Sequence, residues 1–227
     1  MRILLLCDDF HHPGQVAVDG AALLEKQGFQ FDVIRDVTNF NPDIFSDYPV
    51  ILMCKCDHVS QQDQTSWQTE TVQQAFVDYV EKGGGLLAVH TALVAGENAG
   101  RLERLIGCRF AFHPHECPVT VQPVKPHPIT EGVGMFCETD EHYRLAFSAS
   151  DMDIIMASYS PPQGDAEKYD TAPYDNTPAW ISPCGYVRTQ GKGRICVLTP
   201  GHFLAVWQNP HYQRTLANAL YWCAGQK

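Results

Sequence analysis

Two apolar stretches of this chain run directly into a histidine: Gly83-Gly84-Gly85-Leu86-Leu87-Ala88-Val89-His90 and Gly193-Arg194-Ile195-Cys196-Val197-Leu198-Thr199-Pro200-Gly201-His202. Runs this short and this apolar read as strands buried on both faces, which requires a sheet covered by helices on each side. In open sheets of that kind, ligands bind in the crevice outside the carboxyl ends of the strands. His90 and His202 are therefore expected to face one pocket.

The rest of the chain alternates in the same sense. Arg2–Cys7 reads as a first buried strand, followed by the polar loop Asp8-Asp9-Phe10-His11-His12-Pro13-Gly14. Residues 15–27 read as a helix with Val16, Leu23 and Leu24 on a partial apolar stripe and Gly28 as its stop. Residues 29–34 and 49–54 read as the second and third strands. Ser60 with Asp63 resembles a capping signature for the next helix, in which Val72, Ala75, Phe76, Tyr79 and Val80 recur at helical spacing. The expected architecture is α/β, a mainly parallel sheet with right-handed crossovers.

Beyond His90 the pattern loosens. Residues 101–106 form a short helix closed by Gly107, and residues 117–124 alternate like a strand antiparallel at one edge. Pro126-His127-Pro128-Ile129-Thr130 must be extended or a turn, because each proline restricts its predecessor. Residues 159–177, rich in Pro, Asp, Gly and Tyr, read as a surface loop. Residues 178–182 and 195–199 read as strands, and Asn209-Pro210 opens a last helix that buries Tyr212, Leu216, Ala219, Leu220 and Cys223.

Composition limits what such a chain can do. The 227 residues, 44% hydrophobic and 19% charged, suit one globular domain spanning 1–227. A net charge of -10 argues against a nucleic-acid partner, which needs clustered Lys and Arg. Nine cysteines are scattered and odd in number, as expected of reduced thiols in a cytoplasmic protein. No run approaches the roughly 18 to 20 apolar residues of a membrane helix. The loop after the first strand lacks the spaced glycines that cradle a dinucleotide.

The ordered series of the first apolar stretch, Phe112-His113-Pro114, His127-Pro128-Ile129-Thr130, Asp140-Glu141-His142-Tyr143, Pro178-Ala179-Trp180 and the second apolar stretch, closing with Trp207, Pro210 and Asn218, resembles the ThuA-like family. The resemblance spans most of the chain. It implies a flavodoxin-like three-layer open sheet, similar to class I glutamine amidotransferases, and a role in trehalose or related sugar utilisation. Amidotransferases place a nucleophilic Cys on a sharp turn after a strand. Here His90 takes that place, which argues against thioester chemistry on glutamine.

The crevice is expected to be rich in histidine: His11, in preference to His12, from the first loop, with His90, His113, His115 and His202. Imidazoles suit either a divalent metal such as Zn or acid and base work, and the spacing leaves both open. Glu141 is the first choice for the carboxylate that such a site needs, followed by Asp140. His90, Glu141 and His202 are the candidate catalytic residues, while His11, His113, His127, Asp140 and Trp180 are candidates for substrate contact. His58, His142 and His211 are expected simply to hydrogen-bond within the fold.

The resemblance implies oxidised disaccharide metabolism, so the leading expectation is an enzyme that removes a proton beside the ketone of a 3-keto sugar, leading to isomerisation or elimination. A second is a non-catalytic sugar-binding or regulatory module. A third is a hydrolase using Cys56. The oligomeric state is left open.

Overall fold

The computed structural model describes residues 1–96, 98–160 and 180–226. Its strands are β1 (Arg2–Cys7), β2 (Gln30–Ile34), β3 (Val50–Cys54), β4 (Gly85–Val89), β5 (Cys108–Phe112), β6 (Cys117–Pro123), β7 (Phe136–Asp140), β8 (Arg144–Phe147), β9 (Asp153–Ser160), β10 (Trp180–Gln190) and β11 (Gly193–Leu198). The helices are α1 (Gln15–Ala22), α2 (Glu70–Glu81), α3 (Gly100–Ile106), α4 (Leu204–Gln208) and α5 (Pro210–Cys223).

Nine strands form one sheet in the order β2-β1-β3-β4-β11-β10-β9-β6-β7. From β2 to β11 the pairings are parallel, in the flavodoxin-like order that the motifs implied. From β11 to β7 they are antiparallel. The large α/β sheet is mostly parallel at its centre because β1 from Ile3 onward, β3 and β4 are buried and apolar throughout and need cover on both faces.

That cover is divided by strand alternation. Ile3, Leu5 and Cys7 join Leu87, Val89, Trp207, Tyr212 and Leu216 on the face covered by α1 and α5. Leu4 and Leu6 join Phe45, Met53, Phe76, Leu86 and Leu105 on the face covered by α2 and α3. Truncating a leucine buried this fully typically costs about 2–5 kcal/mol. A Cβ on Gly85 would lie 2.5 Å from the Cys223 carbonyl oxygen, so glycine there lets α5 close against the start of β4.

Several elements depart from the sequence reading for local physical reasons. Ser60 caps no helix: its hydroxyl accepts from the N–H groups of Gln62 and Asp63 in a separate turn. The helix starts at Glu70, where Thr69 accepts from Val72 N–H. The first helix ends at Ala22, and a 3-10 turn, Glu25–Gln27, carries the chain to Gly28, while Leu23 is exposed. β10 is far longer than residues 178–182. Its Pro183-Cys184-Gly185 interior, which looks like a break, is absorbed by a bulge against β9, where proline is tolerated. Tyr159 and Ser160 belong to β9; the rest of the expected loop, 161–177, and residues 178 and 179 lie outside the described residues. β5, β7, β8, β9 and α4 went unread in the sequence.

His127 caps a 3-10 turn, Pro128–Thr130, with its Nδ1 accepting from Ile129 N–H. The turn is held by Asn218 of α5, whose side-chain amide donates to the carbonyls of Ile129 and Glu131 at 3.1 and 3.0 Å. Asn218→Ala strands a buried carbonyl and should lower unfolding free energy by about 1–3 kcal/mol in urea melts. A loss below about 0.5 kcal/mol would show that this tie is dispensable.

Candidate functional site

Three strand ends deliver the histidines. The chain leaves β4 through a sharp turn in which His90 has a φ of 49°. A non-glycine residue in this region is strained, and such strain persists where the surroundings fix it. His90 Nδ1 lies 2.8 Å from the Thr199 carbonyl oxygen, which can only accept. The proton is thus on Nδ1, and Nε2 presents a lone pair. His90 is 2% exposed, and burial pushes its pKa down, favouring the neutral ring.

The β1–α1 loop is equally constrained. Asp8 has a φ of 74° and its carboxylate accepts from Gly14 N–H at 2.7 Å, while its carbonyl receives the ammonium of the fully buried Lys55. Asp9 then collects donors on both oxygens. Oδ1 takes the N–H groups of His11 and His12 and lies 3.1 Å from His12 Nδ1; Oδ2 takes Cys56 N–H and the Thr91 hydroxyl. Burial alone would raise this carboxyl, but these partners hold it well below the usual range. Burial likewise opposes charge on His12, yet hydrogen bonds to Asp9 and Glu141 outweigh it and raise His12 to about 9.

Glu141 arrives from the other side of the sheet. β7 is four strands away from β11 in the sheet order, yet Asp140 at its end accepts from the N–H groups of Gly201 and His202 at 2.9 and 3.0 Å. The antiparallel half therefore curls back over the carboxyl ends of the parallel strands. Glu141 Oε2 comes to 3.2 Å from His90 Nε2 and 3.2 Å from His202 Nδ1, and Oε1 to 3.3 Å from His113 Nε2. Against the burial that would raise it, His12, His202 and His90 drive the Glu141 carboxyl far below its ordinary value. Asp140, fully buried, is shifted the other way: burial raises it despite His90 and its backbone donors.

The buried His90 Nε2 and His202 Nδ1 atoms make no hydrogen bond, although a carboxylate oxygen lies 3.2 Å from each. A cation bound between the carboxylate and these two nitrogens would satisfy all three groups. Ligand atoms of a tetrahedral ion bound at 2.0–2.1 Å are spaced by about 3.3 Å, close to the 3.2 Å that separates Glu141 Oε2 from each of these two nitrogens. One ligand atom from each of His12, His90, Glu141 and His202 falls within 4.8 Å of the others. Three imidazoles and a carboxylate suit zinc or a similar divalent ion, with Asp9 behind His12 and the Thr199 carbonyl behind His90 as orienting partners. A cavity of about 30 Å³ adjoins the group, lined by His12, His90, His202, Cys54 and Trp207. Larger cavities, about 710 Å³ beside Pro126 and Glu131 and about 620 Å³ beside Tyr48 and Lys82, bring no such ligand group together among the described residues.

The sequence candidates are distributed as follows. His90, His202, Glu141 and His113 meet. His12 rather than His11 enters the cluster, its ring centroid 5.1 Å from those of both His90 and His202, while His11 turns outward to 5.3 Å from His58. The spacing Asp9-x-x-His12 was the available signal, since a carboxylate closing a turn on residues two and three ahead points the third ring back. Asp140 holds the Gly201-His202 backbone from beneath. His127 packs on Trp222, which lies against Arg194 at the amino end of β11, opposite the cluster. The backbone of Trp180 opens β10, and its side chain lies outside the description. His142 bonds Ser160 and Ser158, and His211 accepts from Gly134 N–H, both as expected of structural residues. Tyr143, unread in the sequence, stacks on His90 at 4.2 Å.

Fold and site together define an α/β protein with a flavodoxin-like parallel core and a buried histidine and glutamate cluster at its strand ends. The chain belongs to the ThuA family, described as trehalose utilisation, whose pattern it matches over residues 2–223. Similar solved structures include a ThuA-like protein of Bacteroides uniformis (19% identity, TM-score 0.72, covering 98% of this chain and 91% of that one). Another is a ThuA-like protein of Parabacteroides merdae (20%, 0.72, 100% and 91%). A third is a cytoplasmic protein of Salmonella typhimurium (16%, 0.60, 98% and 99%). No curated protein matches the sequence. No helix among the described residues is long and apolar enough to cross a membrane.

The structure gives no support to a nucleophilic Cys56: its thiol is 1% exposed, and burial together with Asp9 pushes its pKa far up. All nine cysteines are free and Cys137 alone is exposed. Native protein should show one rapidly reacting thiol with an aromatic disulfide reagent, lost in Cys137→Ser. A second fast thiol assigned to Cys56 would reopen the hydrolase reading.

Proposed function

We propose that this protein is a cytoplasmic enzyme of carbohydrate catabolism that acts on an oxidised 3-keto sugar at a divalent metal site. The observation that carries this reading is the pair of buried, unbonded nitrogens of His90 and His202 facing the Glu141 carboxylate at 3.2 Å. His12, His90, His202 and Glu141 hold the cation, with zinc the best match to the donor set. When bound, the metal supplies Lewis-acid polarisation to a ketone oxygen. The family's trehalose utilisation and the Salmonella neighbours' cytoplasmic designation support the setting.

The side chains then divide the work. With three imidazoles gathered around its carboxylate, Glu141 serves as a ligand rather than as the base. His113, with a side chain 22% exposed and its Nε2 3.3 Å from Glu141 Oε1, is placed to take the proton from the carbon beside the ketone. The C–H electron pair moves toward the ketone carbon as the carbonyl π pair moves onto oxygen. Return of a proton to carbon gives isomerisation, and expulsion of the glycosidic oxygen one carbon further on gives elimination. Neither route changes the overall oxidation state, consistent with a loop that has no dinucleotide fingerprint.

Proton NMR of the protein with a 3-keto-glucoside in deuterated buffer tests this directly. Deuterium uptake beside the ketone, or aglycone release, is expected, with loss on chelation and recovery on adding zinc. His90→Ala and His202→Ala should each lower bound metal and rate at least tenfold, while His113→Ala lowers the rate and keeps the metal. An unchanged spectrum, with a melting temperature that rises on adding the sugar, would instead indicate a sugar-binding module.

A further inference from the structure

The small sheet β5–β8 stands apart from the nine-stranded sheet, and its register brings two rings to the site. Phe112, the last residue of β5, pairs with Arg144, the first of β8, so the residues just beyond that pair, His113 and Tyr143, leave the sheet side by side. Their rings run nearly parallel, tilted by 19° with centroids 5.8 Å apart. Phe110, paired with Leu145, backs both: its centroid lies 4.4 Å from that of Tyr143 and 5.7 Å from that of His113.

Tyr143 faces the metal ligands as well. Its ring stacks on His90, 4.2 Å away and tilted by 26°. The chain turns tightly at this point, because Tyr143 N–H donates to the Glu141 carbonyl at 3.0 Å. That turn sets the Glu141 carboxylate against the Nε2 edge of His90 and the Tyr143 ring against its face. The Thr199 carbonyl holds the imidazole at Nδ1. A bond at Nδ1 alone lets the ring rock about that contact and swings the Nε2 lone pair off line, and a stacked aromatic plane removes this freedom. Tyr143 itself has no room to move aside: it is 2% exposed, and its carbonyl accepts from the Ser182 hydroxyl at 3.2 Å.

We propose that Tyr143 is a positioning residue that fixes the plane of His90 toward the metal and the spacing from His90 to the base, His113. This rests on the reading of the site given above and deepens it, since the two-stranded sheet then couples the metal to the base. Tyr143 acts through the two imidazoles by its ring face, so its hydroxyl is not required.

The test compares wild type, Tyr143→Phe and Tyr143→Leu, with Phe110→Leu as a variant that keeps Tyr143 and loosens only its backing. Each is loaded with cobalt in place of zinc, and the visible absorption bands of the ion report ligand geometry without any substrate. Tyr143→Phe should keep the wild-type bands and zinc affinity, while Tyr143→Leu should shift or weaken the bands and lower zinc affinity about tenfold. With metal saturating, Tyr143→Leu should lower kcat on a 3-keto-glucoside about tenfold at unchanged KM, and Tyr143→Phe should restore it. Phe110→Leu should move bands and kcat in the same direction by less. Wild-type bands, zinc affinity and kcat in folded Tyr143→Leu, or in Phe110→Leu where Tyr143→Leu does not fold, would overturn the proposal. So would equal losses in Tyr143→Phe and Tyr143→Leu, which would assign the effect to the hydroxyl. Ring-dependent cobalt bands without turnover of any 3-keto-glycoside would sink the reaction and leave the positioning of His90 standing. Metal-dependent turnover with bands and kcat indifferent to Tyr143→Leu would do the reverse.

Discussion

A carboxylate oxygen held beside two buried imidazole nitrogens that make no hydrogen bond is the constraint around which this protein is arranged. Glu141 Oε2 lies 3.2 Å from both His90 Nε2 and His202 Nδ1, and neither nitrogen makes a hydrogen bond. Without a cation such an arrangement is costly, because buried polar atoms need partners. The fold brings them together nonetheless by joining its two halves there. The parallel strands supply His12, His90 and His202 from their carboxyl ends, and the curled antiparallel strands supply Glu141 from the far edge of the sheet.

The surroundings hold this geometry against relaxation. Asp9 uses both oxygens to fix His12, Cys56 and Thr91, and Asp140 does the same for Gly201 and His202. Asp8 and His90 both sit in left-handed backbone, and each is tied by a bond to another segment: Lys55 to the Asp8 carbonyl, Thr199 to the His90 ring. Supporting ties of this kind are what keep a metal or reaction site at productive geometry.

The legible part of the sequence was the part governed by local rules. Apolar runs ending in His90 and His202 gave the parallel core and two of the four clustered residues, and Asn209-Pro210 marked the last helix. The antiparallel half was harder to read because its strands alternate weakly and β10 contains Pro183 and Gly185, which signal a break unless a bulge absorbs them. The choice of His11 over His12 failed to foresee the cluster because adjacent residues differ only in direction, and that direction is set by Asp9. The placement of Asp140 beneath Gly201-His202 depends on the curl of the sheet, a long-range feature that no short motif encodes. His127 sits at the opposite end of the strands, since its capping bond belongs to the turn against α5.

The most direct test of the central claim is an anomalous-scattering map at the zinc edge from crystals of zinc-loaded protein. The account predicts one strong peak at about 2.0–2.2 Å from His12, His90 Nε2, His202 Nδ1 and a Glu141 oxygen. A map with no peak among these four side chains, or with Glu141 hydrogen-bonded to protonated imidazoles around a water, would contradict it.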